Sequence, residues 1–287
     1  MPRLDWSRDG DTWPNNEFSR FLRAGDTDWH VQVVGEGPDL LLLHGTGAST
    51  HSWAGLMPLL SKHFRVIVPD LPGHGFSRPA SALGLSIPGM ARSLSALLEA
   101  LDARPRIVAG HSAGAPILVQ MSLDGLLAPE RIVSINGAFM PFKGLAAHFF
   151  PPIAKALIWN PFIPQAVAWT ASDLNVVRRL IGVTGSTIND ESLGLYHRLF
   201  QCPSHVRSTI NMMARWDLAP VVQKLPKLSV PVVVVSGGRD ATVPPSDQDA
   251  IARELPKAEL ISFPDLGHLA HEEDPGSIAN LFLKQTA

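Results

Sequence analysis

Short apolar runs recur along the chain and alternate with longer stretches of helical periodicity. In residues 87–101 the apolar side chains are spaced three and four apart, which predicts an amphipathic helix. Residues 230–235 are a nearly continuous β-branched run, as expected of a strand buried on both faces. The same pattern predicts strands at 29–34, 40–43, 65–69, 107–109, 131–135 and 259–263, and helices at 115–121, 247–255 and 278–283. Strands that alternate with helices predict a parallel, doubly wound sheet.

This alternation stops between residue 136 and about residue 218. Aromatic residues and prolines are interleaved there, and no acidic residue lies between Glu130 and Asp173. Broken helices with clustered aromatic side chains are typical of a shaped apolar pocket. We therefore predict an N-terminal extension (1–25), a core domain (26–136 and 219–287) and an inserted helical lid (137–218). The side chains expected to line a substrate pocket in and beside this lid are Phe139, Phe142, Trp159, Trp169, Met212, Met213 and Trp216.

The composition limits the classes of function. With a net charge of −2 at pH 7 and no lysine or arginine block, the chain lacks the basic surface that nucleic-acid binding requires. Its 11 histidines are scattered without the spacing of metal ligands, so we predict neither a metal nor another cofactor. The single cysteine, Cys202, cannot form an intramolecular disulfide, which fits a reducing cytosol. Residues 1–20 are too polar for a signal peptide, and no apolar run reaches the roughly 18 residues of a membrane-spanning helix.

Residues 110–114, Gly-His-Ser-Ala-Gly, match the pattern Gly-x-Ser-x-Gly between a predicted strand and a predicted helix. In that context the two glycines allow a sharp turn that exposes the serine hydroxyl at its tip. We therefore predict that Ser112 is a nucleophile and that the backbone amide of Ala113 forms one half of an oxyanion hole. The neighbouring His111 is interpreted as a residue of the packing or of the substrate pocket.

A glycine-rich turn at residues 44–49, His-Gly-Thr-Gly-Ala-Ser, follows one of the predicted strands. Glycines let backbone amides approach a ligand closely because no side chain intervenes. Thr46 is predicted to supply the second oxyanion amide, with Gly47 as the alternative. A phosphate-binding loop is a competing interpretation, but the turn lacks both Gly-Lys-Ser/Thr and Gly-x-Gly-x-x-Gly.

An acid and a histidine complete the candidate chemistry. Asp240 and His268 each follow a predicted strand. Because the carboxyl ends of parallel strands meet at one edge of a sheet, we expect both side chains to lie near Ser112. His268 is predicted to act as general base, and Asp240 is predicted to orient it. His271 is an alternative base, and Asp265 is an alternative acid.

These motifs carry a resemblance to the α/β-hydrolase family. The resemblance rests on His44-Gly45, Asp70-Leu-Pro-Gly-His-Gly75, Gly110-His-Ser-Ala-Gly114, Gly238-Arg-Asp240 and Gly267-His268. It implies a doubly wound, mostly parallel eight-stranded sheet with an inserted helical lid, and the activity of a carboxylic ester hydrolase. A serine nucleophile argues against the dehalogenase and epoxide-hydrolase chemistries of this fold, which use a carboxylate.

A closer resemblance is to the magnesium-chelatase accessory hydrolases of bacteriochlorophyll biosynthesis. It covers both body and lid, through Trp13-Pro-Asn, residues 44–53, Asn136-Gly-Ala-Phe-Met-Pro-Phe142, Met212-Met-Ala-Arg-Trp-Asp-Leu218 and Leu266-Gly-His-Leu-Ala-His-Glu-Glu273. The resemblance implies a tetrapyrrole pathway of a photosynthetic bacterium. It therefore implies a bulky apolar substrate such as a magnesium porphyrin, and magnesium chelatase as a candidate partner.

Two functions of different classes follow. The first is a serine esterase acting on a bulky apolar substrate, and the second is a non-catalytic accessory protein that binds a porphyrin for magnesium chelatase. An intact triad favours the enzyme. The acid-free apolar stretch with Lys143 and Lys155 also suits contact between the lid and an anionic membrane. We therefore expect a cytoplasmic protein that is peripheral to the inner membrane.

Overall fold

The computed structural model describes residues 3–79, 81–140, 160 and 162–283. Within these ranges the strands form one sheet, whose members are β1 (Ser19–Ala24), β2 (Thr27–Val34), β3 (Asp39–Leu43), β4 (Arg65–Pro69), β5 (Arg78–Pro79), β6 (Ile107–His111), β7 (Arg131–Ile135), β8 (Val232–Gly237) and β9 (Ala258–Phe263). Eight strands follow one another in the order β1-β2-β4-β3-β6-β7-β8-β9, and the two-residue β5 pairs with β2. Neighbours from β4 to β9 on this path are parallel, whereas β2 is antiparallel to β1 and β4. The predicted doubly wound, mostly parallel sheet is confirmed.

Helices connect these strands and flank the sheet. The α-helices of the described ranges are α1 (Trp6–Asp9), α2 (Met57–Leu60), α3 (Ile87–Ala100), α4 (Gly114–Leu123), α5 (Ile163–Thr170), α6 (Leu174–Gly182), α7 (Asp190–Phe200), α8 (Pro203–Ala214), α9 (Ala219–Val222), α10 (Pro245–Glu254), α11 (Ala270–Glu273) and α12 (Pro275–Leu283). The start of α3 shows how the sequence sets these bounds: the Ser86 side chain accepts a hydrogen bond from Gly89 N at 3.2 Å. No helix among the described residues has both the length and the apolar composition needed to cross a membrane.

The core lies on both faces of the sheet. Successive side chains of a strand point to opposite faces, so β3 places Leu40 and Leu42 in one buried cluster and Leu41 and Leu43 in the other. All four of these side chains are fully buried. This two-sided burial explains why the central strands are continuous apolar runs rather than alternating patterns.

The N-terminal segment, predicted as an extension over residues 1–25, contributes a strand to the sheet. Residues 19–24 form β1 and pair with β2 in antiparallel register. The strand was not predicted because it lies at one end of the sheet and only its last residue, Ala24, is buried, so it lacks an apolar run. Ahead of it, Trp13 is buried and its Nε1 donates to Thr50 Oγ1 at 2.9 Å. The segment is thereby anchored to the body.

Helices α5 to α8 lie between β7 and β8, and we call them the helical insertion. They build a small core in which Val177 and Ile181 of α6 pack with Tyr196 of α7. The same cluster includes Leu269, which follows His268. The insertion therefore packs directly on the loop that carries the predicted base. The predicted residues Phe142, Lys143, Lys155 and Trp159 lie outside the described residues.

Candidate active site

Ser112 lies in the sharp turn between β6 and α4. Its φ is +49°, in the left-handed region that residues other than glycine rarely adopt. The flanking glycines are required, because a Cβ at Gly110 would lie 2.4 Å from Ala115 N and a Cβ at Gly114 would lie 2.4 Å from the Leu43 carbonyl oxygen. Such a backbone conformation costs about 1–3 kcal/mol, and it keeps the half-buried serine side chain at the tip of the turn.

Asp240 and His268 form a hydrogen-bonded pair at the carboxyl ends of β8 and β9. The His268 Nδ1 donates to Asp240 Oδ2 at 2.7 Å. The other oxygen of Asp240 accepts from the backbone amides of Thr242 and Val243, both at 2.8 Å. Because Nδ1 carries the proton, Nε2 of the neutral ring is the acceptor. The pair thus has the tautomer that a general base requires.

The turn of Ser112 and the loop of His268 are in contact through His111, the residue beside Ser112. The Nε2 of His111 donates to the His268 carbonyl oxygen at 2.9 Å, and the two rings lie 4.7 Å apart between centroids. Among the described residues, the Ser112 hydroxyl makes no hydrogen bond to His268. Hydrogen bonds at catalytic sites are often long until substrate binds, so this separation does not remove His268 as the base.

His111 itself is buried, and burial lowers its pKa well below the ordinary value. Its ring also lies 4.5 Å from that of His271 between centroids. Sequence analysis allowed a role either in packing or in the substrate pocket. This geometry supports packing, because the ring is enclosed and its Nε2 is occupied by the His268 backbone.

The alternative base and acid lie in different surroundings. His271 is buried in α11, its Nε2 is 2.8 Å from Ser52 Oγ, and burial lowers its pKa to about 3. Asp265 is exposed at the surface. Neither His271 nor Asp265 takes part in the hydrogen bond between Asp240 and His268. The geometry therefore favours His268 as the base and Asp240 as its orienting acid.

The predicted oxyanion donors follow the neighbouring parallel strands β3 and β6. Within the described residues, the backbone amides of Ala113, Thr46 and Gly47 have no hydrogen-bond acceptor. Amides of that kind are available for a ligand oxygen. Both Thr46 and its alternative Gly47 therefore stay candidates for the second amide. The helical insertion also contacts this turn, because His205 Nε2 of α8 donates a hydrogen bond to the Gly47 carbonyl oxygen at 3.1 Å.

The side chains predicted to line one pocket are found in three environments. Phe139 and Met212 are fully buried in the main core, and Met212 Sδ accepts from Thr46 Oγ1 at 3.7 Å. Met213 and Trp216 are half-buried. Trp169 is 79% exposed, because α5 buries Pro164 and Ala168 instead. The described members thus differ in burial, and their shared lining of a substrate pocket stays a prediction.

A cluster of polar side chains at the residues that follow His268 was not predicted from the sequence. Burial raises the pKa of Glu272 to about 7, and its Oε1 accepts from Ser52 Oγ at 2.5 Å and from the Tyr196 hydroxyl at 2.6 Å. Ser186 Oγ accepts from Leu269 N at 2.8 Å, which ties the loop after α6 to the residue after His268. No spacing in the sequence indicates these contacts, because their partners are more than 70 residues apart. Within the described ranges, no group of three or more histidine, cysteine or carboxylate side chains is arranged to hold a metal ion.

The sequence was compared with models of known protein families to assign this fold to one of them. The model of the alpha/beta hydrolase family matches residues 40–281, a span that includes Ser112, Asp240 and His268. The chain belongs to the alpha/beta hydrolase family. Hydrolase-type chemistry is the function that this membership supports.

Individual relatives agree with the family. The chain is 39% identical over 273 residues to the magnesium-chelatase 30 kDa subunit of Rhodobacter capsulatus, covering 94% of this chain and 95% of that protein. It is 26% identical over 269 residues to the pimeloyl-[acyl-carrier protein] methyl ester esterase of Vibrio vulnificus (strain YJ016), covering 90% of this chain and 97% of the esterase. An alpha/beta hydrolase fold protein from Burkholderia ambifaria has a TM-score of 0.77 and 23% identity, and covers 93% of this chain and 100% of that one. Both resemblances inferred from the sequence are confirmed.

Proposed function

We propose that this protein is a serine hydrolase that cleaves an ester of a bulky apolar substrate. One observation carries the proposal: Ser112, in its left-handed turn, lies at the same sheet edge as the hydrogen-bonded Asp240–His268 pair. A serine hydroxyl is a weak nucleophile until a base removes its proton, and a neutral histidine with an available Nε2 is such a base.

The proposed reaction has two steps. His268 Nε2 takes the hydroxyl proton as Ser112 Oγ attacks the ester carbonyl, and Asp240 stabilises the imidazolium. The oxyanion accepts hydrogen bonds from the amides of Ala113 and Thr46, each worth about 3 kcal/mol in the transition state. The protonated His268 then gives its proton to the departing alkoxide. In the second step, His268 deprotonates a water molecule that hydrolyses the acyl-enzyme and restores Ser112.

We further propose that the helical insertion is a lid over this site. Its helices α7 and α8 lie against the glycine-rich turn. A Cβ at Gly47 would lie 3.5 Å from the ring of Phe200 in α7 and 3.9 Å from Thr209 in α8. His205 hydrogen-bonds the same turn from α8. As a lid, these helices would border the path of a substrate to Ser112, so their side chains would take part in selecting it.

The substrate class that we propose is a magnesium tetrapyrrole carrying a methyl-esterified propionate. Support comes from the 39% identity to a protein named as a magnesium-chelatase subunit and the 26% identity to a methyl ester esterase. The ester would yield methanol and a free propionate. The competing function is a porphyrin-binding accessory protein of magnesium chelatase that does not turn its ligand over, and the relative's name as a chelatase subunit favours it.

Magnesium-protoporphyrin monomethyl ester distinguishes these functions. We expect wild-type protein to bind it, measured by quenching of tryptophan fluorescence, and to release methanol and magnesium protoporphyrin, measured by chromatography. Ser112→Ala should bind with similar affinity and release nothing. Binding without hydrolysis by the wild type would favour the accessory protein. If quenching is no stronger than for an unrelated hydrolase, the tetrapyrrole assignment is wrong.

The insertion also carries an apolar outer surface for which we propose contact with an anionic membrane. Eight large apolar side chains are exposed in the described ranges, and six of them lie in residues 162–183: Phe162, Val167, Trp169, Leu174, Leu180 and Val183. The exposed Arg179 lies among them, and Asp173 is the one acid of that span. Exposed aromatic rings beside a cationic group suit the interface of an anionic bilayer.

A further inference from the structure

Asn136 is the first residue after β7 and lies at the carboxyl edge of the sheet. Its φ is +47°, one of the few left-handed values among non-glycine residues, and its side chain is fully buried. Asparagine tolerates this conformation better than most residues. The backbone alone therefore permits asparagine here, but it does not explain why the amide is buried.

The amide of Asn136 joins two loops that carry the proposed acid and base. Its Nδ2 donates to the carbonyl oxygens of Gly267 at 2.7 Å and His268 at 2.9 Å. Its Oδ1 accepts from Gly237 N, at the end of β8, at 2.9 Å. Asp240 follows Gly237 by three residues. One side chain thus connects the end of the acid strand to the histidine backbone.

The orientation of this amide is determined by its partners. Turning the amide over would place Oδ1 against two carbonyl oxygens and Nδ2 against an N–H group, so that all three hydrogen bonds would be lost. The space is also closed, because a Cβ at Gly237 would lie 2.3 Å from the Gly267 carbonyl oxygen and 3.0 Å from Asn136 Nδ2. A buried amide with every partner satisfied is rigid.

The same segment holds the nucleophile turn. Ser112 N donates to the carbonyl oxygen of Ile135 at 3.0 Å, and Ala138 N donates to the carbonyl oxygen of Ser112 at 3.0 Å. Asn136 stands between these two anchors in the chain. Its position therefore relates the backbone of Ser112 to the loops of Asp240 and His268.

We propose that Asn136 is a positioning residue that fixes the backbone of His268 relative to Asp240 and Ser112. The inference rests on the proposed serine-hydrolase function for its consequence, which is the rate of the chemical step. The His268 carbonyl accepts from both Asn136 and His111, so the histidine is held through its backbone as well as through its ring. A misplacement of about 1 Å at such a site costs on the order of 100-fold in rate.

Asn136→Gly is the sharpest variant, because glycine keeps the left-handed backbone and removes only the amide. We expect kcat for a small p-nitrophenyl ester to fall about 10- to 100-fold while KM changes less than about twofold. Asn136→Asp keeps the shape but turns an acceptor toward a carbonyl oxygen, and it should lose kcat as well. Asn15→Gly is the matched control, since Asn15 also has positive φ, at 57°, and its Nδ2 donates to the Ala54 carbonyl at 3.4 Å, away from the site. It should keep kcat within about twofold.

A measurement independent of turnover separates this inference from the proposed function. In proton NMR, the proton on His268 Nδ1 that faces Asp240 should give a low-field resonance, identified by its loss in His268→Gln. We expect it to shift or broaden in both Asn136 variants and to stay unchanged in Asn15→Gly. If wild-type protein hydrolyses no ester but the resonance shifts, the proposed function fails and the positioning role stands. An unchanged resonance in both Asn136 variants, or unchanged kcat in both while the wild type is active, would overturn it.

Discussion

Trp53 and Trp169 show how differently the sheet domain and the helical insertion are built. Trp53 is fully buried in the body, where its ring lies 4.4 Å from that of His271 between centroids. Trp169 is the penultimate residue of α5, the first described helix of the insertion, and is 79% exposed. The same residue type therefore stabilises the core in one region and faces outward in the other.

The polar groups of the two regions differ in the same way. At the sheet edge, Asp240 and Asn136 each make three hydrogen bonds that fix the loops around Ser112. The exposed apolar side chains of α5 and α6 are not held by hydrogen bonds of this kind. Under the proposed function, the chemistry is set by the sheet domain, whereas selection of substrate and surface contact belong to the insertion. The following substitutions test that division.

The largest effect is expected for the proposed triad in the body. Ser112→Ala and His268→Ala should each lower kcat/KM for p-nitrophenyl esters on the order of 10⁴-fold, with unchanged urea midpoints. Because such residues act as a unit, the double variant should be about as impaired as either single one. A double variant that is far worse than both would show that the two residues act separately.

The next effect compares the two tryptophans directly. Trp53→Ala removes a fully buried indole and should cost about 3–5 kcal/mol in the free energy of unfolding. Trp169→Ala should change it by less than about 0.5 kcal/mol, because the ring is exposed. Urea unfolding measures both values. Equal losses for the two variants would mean that the insertion buries its tryptophan as the body does.

Trp169→Ala also tests the proposed membrane contact. Wild-type protein should float with anionic liposomes at low salt, and both Trp169→Ala and Arg179→Glu should float less. Phe21→Ala is the matched control, since Phe21 is 51% exposed but lies on β1, outside the insertion. If all three variants float like the wild type, the outer surface of the insertion does not contact lipid.

A smaller effect is expected from acid, and it arises mainly in the body. Burial lowers the pKa of His74 to about 4 and that of each of four other histidines to about 3: His44, His51, His205 and His271. The unfolded chain takes up these protons below its ordinary pKa of about 6.5, and the folded chain does not. The stability that these histidines contribute is therefore fully present above about pH 6.5 and is lost as the pH falls toward 4.

Glu272 acts in the opposite direction. Burial raises its pKa to about 7, so the folded state takes up this proton at a higher pH than the unfolded chain does. Its effect cancels that of about one histidine. The net loss in the free energy of unfolding between pH 7 and pH 6 should be on the order of 2 kcal/mol. Urea unfolding at several pH values gives the number of protons taken up. Stability that is constant from pH 7 to pH 5 would contradict the neutral burial of these histidines.

The sequence predicted most where one residue type has one structural outcome. The β-branched run predicted as a strand over residues 230–235 overlaps β8 (Val232–Gly237), and the two glycines around Ser112 are required by contacts below 3 Å. It predicted least where burial depends on neighbours far along the chain. Trp169 and Phe139 have similar apolar side chains, yet one is exposed and the other is fully buried. Asn136 begins one of the segments that carry the resemblance to known hydrolases. Its three hydrogen-bond partners lie more than 100 residues away, and no local pattern encodes them.

Covalent labelling tests the central claim, that Ser112 is the nucleophile of a serine hydrolase. Wild-type protein would be treated with a fluorophosphonate probe, digested and analysed by mass spectrometry. The account predicts a single adduct on Ser112, absent in Ser112→Ala and formed at least about 100-fold more slowly in His268→Ala. An adduct on a different serine, or no adduct under conditions that label a known esterase, would contradict it.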